Sequence, residues 1–253
     1  MPLVLKIILL AVLQGFTEFF PVSSSGHLLV LQKILGFTTL PLVYDIFFHL
    51  GTLLAVVAFF FKDLKPLALR FHEKENFRLL LLIGVASLPT AIIGFAFKDF
   101  FEALFENISY LGFAFLFTAA VLLASRFLRL NKKLPDFPAA FLIGVAQGIA
   151  ITPGVSRSGM TIALALILGL GFEFSFRFSF LLSIPAILGA VLLEADKIPW
   201  SGGHWPQLAL AVLVAALAGF LALGLLKKIL VRDHFHRFAP YLLVLGVLVF
   251  FFL

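Results

Sequence analysis

The chain contains no cysteine and few charged residues: Asp, Glu, Lys and Arg make up 13% of its 253 residues. The lack of cysteine excludes disulfide frameworks, thiolate metal sites and cysteine nucleophiles. With 62% hydrophobic residues and a mean hydropathy of +1.14, the chain is also too apolar for an ordinary soluble domain. Because a spanning helix needs about 20 residues, we expect about six to eight membrane crossings and no appended soluble domain.

The net charge of +6 comes from basic residues that fall in three clusters between apolar runs, at 62–78, 126–133 and 227–237. Lys and Arg concentrate in cytoplasmic loops of membrane proteins, so the clusters indicate topology rather than nucleic-acid binding. The acidic segments 98–106 and 194–205 are expected outside, with Trp200 and Trp205 at the lipid interface. Residues 1–13 lack a small-residue cleavage site, so we expect no removed signal peptide.

Six apolar segments can cross a bilayer as helices: 42–61, 79–97, 108–128, 176–193, 208–226 and 238–253. Two further apolar regions, 3–35 and 137–170, are interrupted at 14–27 and 151–160 by polar stretches containing Gly, Pro and Ser. A helix of about 13 residues covers about 20 Å, less than the ~30 Å hydrocarbon core, so each interrupted region is expected to form a re-entrant hairpin. Broken backbone at that depth must be surrounded by protein or a wet cavity, so the two tips should meet at a polar site.

A repeat relates the two interrupted regions. Residues 14–27 (QGFTEFFPVSSSGH) align with residues 147–160 (QGIAITPGVSRSGM) at an offset of 133, and six of the fourteen positions are identical. Chance would give about one identity, so we predict a duplication with repeat 1 at about 1–130 and repeat 2 at about 134–253.

Each predicted half has one hairpin and three crossings, and an odd number of crossings inverts the second half relative to the first. With the basic clusters inside, the first hairpin opens outward, the second opens inward, and both termini lie outside. The predicted fold is therefore an all-α, polytopic membrane protein. It comprises a single integral domain, 1–253, with six transmembrane helices and two re-entrant helical hairpins in an inverted-topology repeat.

Polar residues that can carry chemistry are concentrated in the first hairpin: Gln14, Thr17, Glu18, Ser23, Ser24, Ser25 and His27. If residues 11–19 are helical, Gln14 and Glu18 lie on one face. A carboxylate, hydroxyls and an imidazole can supply metal ligands, a general base and a nucleophile. Ser24 aligns with Arg157, where the halves diverge, and this favours Ser24 as the chemical residue. The neighbouring pairs Ser23/Ser156 and Ser25/Ser158 match across the repeat and are candidates for hairpin scaffolding.

The second hairpin carries the basic side of the predicted site, with Thr152, Ser156, Arg157, Ser158 and Thr161. Gly154 and Gly159 flank Arg157, so backbone N–H groups can approach an anion while the guanidinium binds phosphate oxygens. Turn residues and a buried structural pair are the simpler interpretation of such segments. We prefer a functional one, because a Glu and an Arg at membrane depth are energetically costly.

Other polar residues give a weaker signal. His49, Asp45 and Thr52 lie near the start of a spanning segment, where they could line the same cavity or anchor the helix at the interface. The sequence does not decide between these two. His234 and His236 lie in a basic loop, where we expect no metal site.

Two motifs resemble those of the bacterial undecaprenyl-diphosphatases of the bacitracin-resistance type. The first motif is matched by Gln14, Glu18, Pro21, Val22, Ser23, Ser24, Gly26 and His27, and the second by Pro153, Gly154, Ser156, Arg157, Ser158, Gly159 and Thr161. Both motifs are long, and the resemblance covers essentially the whole chain. Gln14 stands where many members carry Glu.

The resemblance implies hydrolysis of undecaprenyl diphosphate to undecaprenyl phosphate and inorganic phosphate, which recycles the lipid carrier for peptidoglycan synthesis. It implies a site facing the outer side of the bacterial cytoplasmic membrane. On this basis we predict that Ser24, or a water in its place, attacks the terminal phosphorus, and that His27 handles protons or orients the nucleophile. The predicted catalytic residues are Glu18, Ser24, His27 and Arg157. The predicted phosphate-binding residues are Arg157, Ser156, Ser158, Gly154, Gly159, Thr161 and Ser23, and the predicted ligands of a divalent cation, Mg²⁺ or Ca²⁺, are Glu18 and Gln14.

Inverted repeats with broken helices also occur in transporters, so a polyprenyl-phosphate flippase or transporter with the same site is the alternative. Phosphate release by purified protein without a gradient distinguishes the two. The polar site disfavours a purely structural membrane subunit. The expected partners are the lipid substrate and membrane lipid, with no nucleic acid, and the sequence leaves open whether the chain is a monomer or a homodimer.

Overall fold

The computed structural model describes residues 2–34, 42–106, 108–126, 135–195, 198, 205–231 and 234–253. In these ranges every regular element is helical, which confirms the all-α prediction. The helices are α1 (Leu3–Phe19), α2 (Ser24–Ile34), α3 (Leu42–Phe59), α4 (Phe61–Leu69), α5 (Lys74–Ala96), α6 (Lys98–Glu106), α7 (Leu111–Ala124), α8 (Phe137–Ile149), α9 (Arg157–Ile167), α10 (Phe172–Leu193), α11 (Trp205–Val231) and α12 (Ala239–Phe252). Two short 3₁₀ turns, Ile108–Tyr110 and Phe235–Phe238, precede α7 and α12.

Four helices of the described chain are long and apolar enough to cross a membrane: α5, α10, α11, and α12 together with the 3₁₀ turn before it. A fifth span results if α3 and α4, which meet at a 77° bend, are counted as one. The polytopic membrane fold is thereby confirmed. The count of six crossings stays a prediction, because α7 has only 14 residues and the end of its predicted span, 127–128, lies outside the described residues.

The two hairpins are formed by α1 with α2 and by α8 with α9. Their breaks are confined to residues 20–23 and 150–156, whereas the sequence predicted longer interruptions at 14–27 and 151–160. The prediction was wrong here because it treated every Ser, Thr and Gly as turn-forming, while most of these polar residues lie within the helices. The helices α2 and α9 each have 11 residues, and both their first and their last residues lie 133 positions apart. The offset of the sequence repeat is thus reproduced in the helices.

Each hairpin packs along a helix of the other half of the chain. α1 packs on α11 and α8 packs on α5, while α3 contacts α10 and α7 contacts α12. Glycine permits two of these close crossings: a Cβ on Gly15 would lie 2.5 Å from the Cβ of Ala218, and a Cβ on Gly144 would overlap the backbone of Ala86. The predicted boundary between repeats, at about 130–134, falls outside the described residues, so the division into repeats stays a prediction.

Phenylalanine rings form the core beneath the hairpin tips. Phe180 of α10 packs edge-on against Phe176 at 4.9 Å and against Phe19 of α1 at 5.5 Å, and all three are buried. The Phe180 ring therefore supports the C-terminal end of α1, where the polar residues of the first hairpin lie. Aromatic pairs in this arrangement stabilise the fold beyond the contribution of the apolar area that they bury.

An ion pair joins α4 to the start of α10, with Asp63 Oδ1 2.7 Å from Arg177 Nε. It places both segments on the same side of the molecule, in agreement with the topology predicted from the basic clusters. Some residues on which that topology also rests lie outside the described ranges: Arg129, Lys132, Lys133, Trp200 and Arg232. The orientation in the membrane stays a prediction.

Candidate active site

Glu18 and Arg157 form an ion pair where the two hairpins meet. Glu18 Oε1 lies 2.7 Å from Arg157 Nη2, although 139 residues separate the two in the sequence. Glu18 lies near the C-terminal end of α1, and Arg157 is the first residue of α9. The predicted meeting of the hairpins at one polar site is therefore confirmed by the geometry.

The second carboxylate oxygen of Glu18 accepts two further hydrogen bonds. Ser24 Oγ donates to Oε2 at 2.6 Å, and Gln14 Nε2 donates to the same atom at 3.1 Å. Gln14 and Glu18 lie one helical turn apart on α1, as predicted, and Ser24 begins α2 after the chain reverses. Arg157 thus binds one oxygen of the carboxylate while a potential nucleophile binds the other.

His49 of α3 lies next to the same carboxylate, with Nε2 3.9 Å from Glu18 Oε2. Its Nδ1 lies 2.7 Å from the backbone oxygen of Asp45, which fixes the ring orientation. Thr52 is buried and donates to the backbone oxygen of His49 at 2.9 Å. Of the two interpretations that the sequence left open, the contact with Glu18 supports a place in the site for His49, which is bonded to Asp45 and Thr52.

One nitrogen of the Arg157 guanidinium makes no hydrogen bond within the protein. This atom, Nη1, is buried, while the guanidinium carbon lies 5.7 Å from the centre of the Phe180 ring. An unsatisfied charged donor is costly inside a protein, so this nitrogen marks a place for an anionic ligand. The fork geometry of Arg suits phosphate oxygens.

The matched serines of the repeat cap the second helix of each hairpin. Ser23 Oγ accepts from Gly26 N at 3.3 Å, and Ser156 Oγ accepts from Gly159 N at 3.1 Å, the N-cap pattern for serine. The scaffolding role predicted for these serines is confirmed. Ser23 differs in having φ +70°, a conformation that residues other than glycine rarely adopt.

The other hydroxyls predicted to bind phosphate are used inside the protein. Ser158 Oγ lies 3.3 Å from Ser156 Oγ and donates to the backbone oxygen of Phe20 at 3.2 Å. Thr161 Oγ1 bonds to Ser179 Oγ at 2.6 Å and to the backbone oxygen of Arg157 at 2.9 Å. These bonds hold the start of α9 against α10 and the first hairpin, and phosphate binding by the hydroxyls stays a prediction.

Gly154 shapes the turn before α9. It has φ +87°, and a Cβ at this position would lie 2.7 Å from the Cβ of Ala114. Its backbone oxygen is 3.4 Å from Thr118 Oγ1 of α7, which also accepts from Ser156 N at 3.2 Å. Only glycine combines this conformation with the close approach to α7, so Gly154 and Thr118 together fix the position of Arg157.

The hydrogen-bond partners of His27 are Ser23 and Tyr241, and not the Glu18 carboxylate. Its ring packs against Phe115 of α7 and Tyr241 of α12, and its two nitrogens are bonded to Ser23 and Tyr241. In the described structure neither nitrogen is bonded to Glu18 or Arg157. Sequence reasoning missed Tyr241, because no motif surrounds it.

The site residues fit a divalent cation only together with a substrate. Among the residues that the structure describes, no three His, Asp or Glu side chains group closely enough to hold a metal ion. Gln14 Oε1, however, is buried and has no hydrogen-bond partner, so one oxygen beside the Glu18 carboxylate is available. Mg²⁺ is commonly held by one or two carboxylates plus substrate phosphates. The predicted cation therefore needs phosphate oxygens to complete its ligands.

Glu18 can act as a base, and it directly contacts a hydroxyl nucleophile, Ser24, and an anion-binding group, Arg157. Exposure rises outward from the carboxylate: Glu18 is 8% exposed, Arg157 14% and His49 33%. A ligand can thus reach the guanidinium while Glu18 stays shielded. Such a set fits transfer of a phosphoryl group to an oxygen nucleophile.

The chain is similar to known proteins over nearly its whole length. A family model described as bacitracin resistance protein BacA matches residues 7–248. A protein of Halothermothrix orenii named undecaprenyl-diphosphatase is 38% identical over 252 residues, which cover 97% of this chain and 96% of that protein. Proteins of the same name in Carboxydothermus hydrogenoformans and Desulforapulum autotrophicum are 42% identical over 248 residues and 40% identical over 262. They cover 95% of this chain each, and 94% and 95% of their own lengths.

Proposed function

The chain belongs to the bacitracin resistance protein BacA family, and we propose that it hydrolyses undecaprenyl diphosphate at the site formed by Glu18 and Arg157. The products are undecaprenyl phosphate and inorganic phosphate. The observation that carries the placement of the site is that Ser24 Oγ and Arg157 Nη2 bind opposite oxygens of the Glu18 carboxylate. A nucleophile and a phosphate-binding cation are therefore held in fixed relation by one base.

Substrate binding begins at Arg157 and the start of α9. The Nη1 donor of Arg157 and the positive end of the α9 dipole provide a positive site for the diphosphate. In this proposal Gly154 and Gly159 let the backbone approach the phosphates, while Ser156, Ser158 and Thr161 hold the loop. A phosphate that competes for the guanidinium also releases Glu18 Oε1, which makes the carboxylate a stronger base.

The first chemical step forms a bond between Ser24 Oγ and the terminal phosphorus. The Ser24 proton passes to Glu18 Oε2, and the bond between that phosphorus and the bridging oxygen breaks. Undecaprenyl phosphate leaves with the bridging oxygen and takes up a proton, and Glu18 returns its proton to solvent.

The second step releases inorganic phosphate. Water gives a proton to Glu18 and bonds to the phosphorus, and Ser24 Oγ leaves and recovers that proton. A water bound to Glu18 in place of Ser24 would give the same products in one step. The 2.6 Å contact of Ser24 with the base favours the covalent route.

A divalent cation would be held by Glu18 and Gln14 together with phosphate oxygens. When bound, it would neutralise charge on the phosphates. The polar residues that line the site then place the head group against Ser24, and the apolar surroundings accept the lipid tail.

The proposed location is the cytoplasmic membrane of a bacterium, with the first hairpin opening to the outer face. The three basic clusters support this orientation. The transporter alternative is not favoured, since relatives that match over nearly their whole length are named for the phosphatase activity. The contacts of Glu18 with Ser24, Arg157 and His49 all lie within one chain.

The test is phosphate release from undecaprenyl diphosphate by the purified full-length protein in detergent, where no membrane gradient exists. We expect Glu18→Gln, Ser24→Ala and Arg157→Ala each to lose about 100-fold or more in kcat/KM. Ser25→Ala is the matched control, since it removes a neighbouring hydroxyl that does not contact Glu18, and it should keep near wild-type turnover. Wild-type turnover by Glu18→Gln and Arg157→Ala would place the activity elsewhere. Wild-type turnover by Ser24→Ala alone would leave only the direct water route.

A further inference from the structure

Both ring nitrogens of His27 are hydrogen-bonded. Nδ1 lies 2.7 Å from the backbone oxygen of Ser23, and Nε2 lies 2.7 Å from the hydroxyl oxygen of Tyr241. Tyr241 comes from α12, 214 residues further along the chain. No feature of the two motifs points to it.

The contact with Ser23 determines which nitrogen carries the proton in the neutral ring. A backbone carbonyl only accepts, so Nδ1 must donate, and Nε2 of the neutral imidazole then accepts from the Tyr241 hydroxyl. When the ring is protonated, Nε2 donates to the same hydroxyl oxygen. A phenolic hydroxyl fits both states, because it donates and accepts.

The pair is held rigidly but stays accessible. The His27 ring stacks on Tyr241 at 5.7 Å and meets Phe115 edge-on at 5.5 Å. Tyr241 is nevertheless 49% exposed, so the pair is not enclosed by protein on all sides. His27 lies one turn after Ser24 on α2, which brings the pair to the same hairpin as the nucleophile.

We propose that Tyr241 is a further catalytic residue of the hydrolysis, and that protons pass between His27 and the leaving lipid phosphate through its hydroxyl. As the bond from phosphorus to the bridging oxygen breaks, the Tyr241 O–H gives its proton to the departing phosphate. The Tyr241 oxygen takes the proton from Nε2 of the protonated His27 ring at the same time, which leaves a neutral ring with its proton on Nδ1. His27 recovers a proton from solvent before the next turnover. This inference rests on the proposed function.

The first test compares Tyr241→Phe with wild type in the phosphate-release assay. The substitution removes only the hydroxyl, so we expect kcat to fall about tenfold or more with KM changed by less than about twofold. Tyr110→Phe is the matched control, because the Tyr110 hydroxyl is buried and has no hydrogen-bond partner. It should leave kcat unchanged, and thermal melting in detergent should show both variants folded. Wild-type kcat for Tyr241→Phe would overturn the proposal.

A double-mutant cycle separates a proton path from a packing role. If Tyr241 acts through His27, the variant carrying both Tyr241→Phe and His27→Gln should be no slower than His27→Gln alone. Losses that multiply would contradict the proposal. Wild-type turnover by His27→Gln, with Glu18→Gln inactive, would overturn this inference and leave the proposed function standing. Full activity of Glu18→Gln and Arg157→Ala would overturn the proposed function itself.

Nitrogen NMR gives a readout that does not depend on turnover. In protein labelled with ¹⁵N-histidine, the His27 signal, identified by its loss in His27→Gln, should show a proton on Nδ1. Tyr241→Phe should shift the Nε2 resonance while Nδ1 stays protonated. A proton on Nε2 of the neutral ring, or an Nε2 resonance unaffected by Tyr241→Phe, would contradict the proposed contact.

Discussion

Ser24 and Glu18 lie six residues apart in the chain and are joined by a 2.6 Å hydrogen bond. The contact depends on the reversal at residues 20–23, where Ser23 adopts φ +70° and caps α2 through Gly26 N. Residues other than glycine that hold such a conformation store strain of about 1–3 kcal/mol, and they cluster at functional sites. The strained turn is what brings a hydroxyl onto the base.

Replacement of Ser23 tests this strain. Ser23→Ala should lower stability by about 1 kcal/mol through loss of the cap, while Ser23→Gly should lower it less, because glycine relieves the positive φ. Ser156, with φ −79° and the same capping role, is the matched control, and there Gly should bring no such relief. Thermal melting in detergent measures the four variants. Equal losses for Ala and Gly at position 23 would mean that the turn is not strained.

The Glu18–Arg157 pair should matter for stability as well as for activity. Arg157→Met leaves a buried carboxylate without its cation, which we expect to destabilise by about 3–5 kcal/mol. The doubly substituted protein, Glu18→Gln with Arg157→Met, should recover most of that loss, since neither charge remains buried alone. Melting temperatures of the two single variants and the double variant decide this. If the losses add, the pair does not compensate.

His49 should influence turnover although it lies outside both motifs. Its Nε2 is 3.9 Å from the oxygen of Glu18 that takes the Ser24 proton. We expect His49→Ala to lower kcat about tenfold. His72→Ala, on an exposed turn, is the control and should turn over as wild type does. Phosphate release measures both, and an unaffected His49→Ala would limit this imidazole to packing.

Gly154→Ala should be among the most damaging small substitutions. The new Cβ would lie 2.7 Å from that of Ala114 on a backbone with φ +87°, so either the turn or α7 must move. We expect a loss of stability of about 1–3 kcal/mol and a loss of turnover, because Arg157 follows this turn. Gly84→Ala, where no atom lies within 4 Å of the new Cβ, should be tolerated. Melting temperature and turnover are measured for both variants. Equal losses in Gly154→Ala and Gly84→Ala would contradict the special role of Gly154.

The orientation can be tested with single cysteines, because the chain has none of its own. Asp99→Cys on α6 and His72→Cys between α4 and α5 are both at exposed positions. A membrane-impermeant maleimide should label position 99 in intact cells and position 72 only after permeabilisation. The reverse pattern would invert the proposed topology.

Local spacing was enough to predict part of the site. Gln14 and Glu18 share a helical face because they lie four residues apart, and the repeat aligned the hairpin that carries Glu18 with the hairpin that carries Arg157. The cost of isolated charges at membrane depth then predicted that the two would meet. The lengths of the two hairpin breaks were overestimated, because Ser and Thr residues that are common in turns lie here at helix caps or within helices.

His49 and Tyr241 show what sequence patterns could not supply. Each lies on a spanning helix that reaches the hairpins only through packing of α3 and α12, and a lone His or Tyr in an apolar segment has no spacing signal. The placement of His27 likewise depends on Phe115 and Tyr241, and not on the motif that contains it. Long-range packing decided these contacts.

The cross-packing of the hairpins has a consequence for biosynthesis. The first hairpin leaves the ribosome with Glu18, whose cation is 139 residues further along, and α1 meets its most extensive packing partner only when α11 is made. Until then the carboxylate lacks its cation and the small-residue face around Gly15 lacks α11 at membrane depth, where an unpaired charge is unfavourable. We expect the nascent first hairpin to stay near the bilayer surface or inside the insertion machinery, and to settle only after most of the chain has been synthesised.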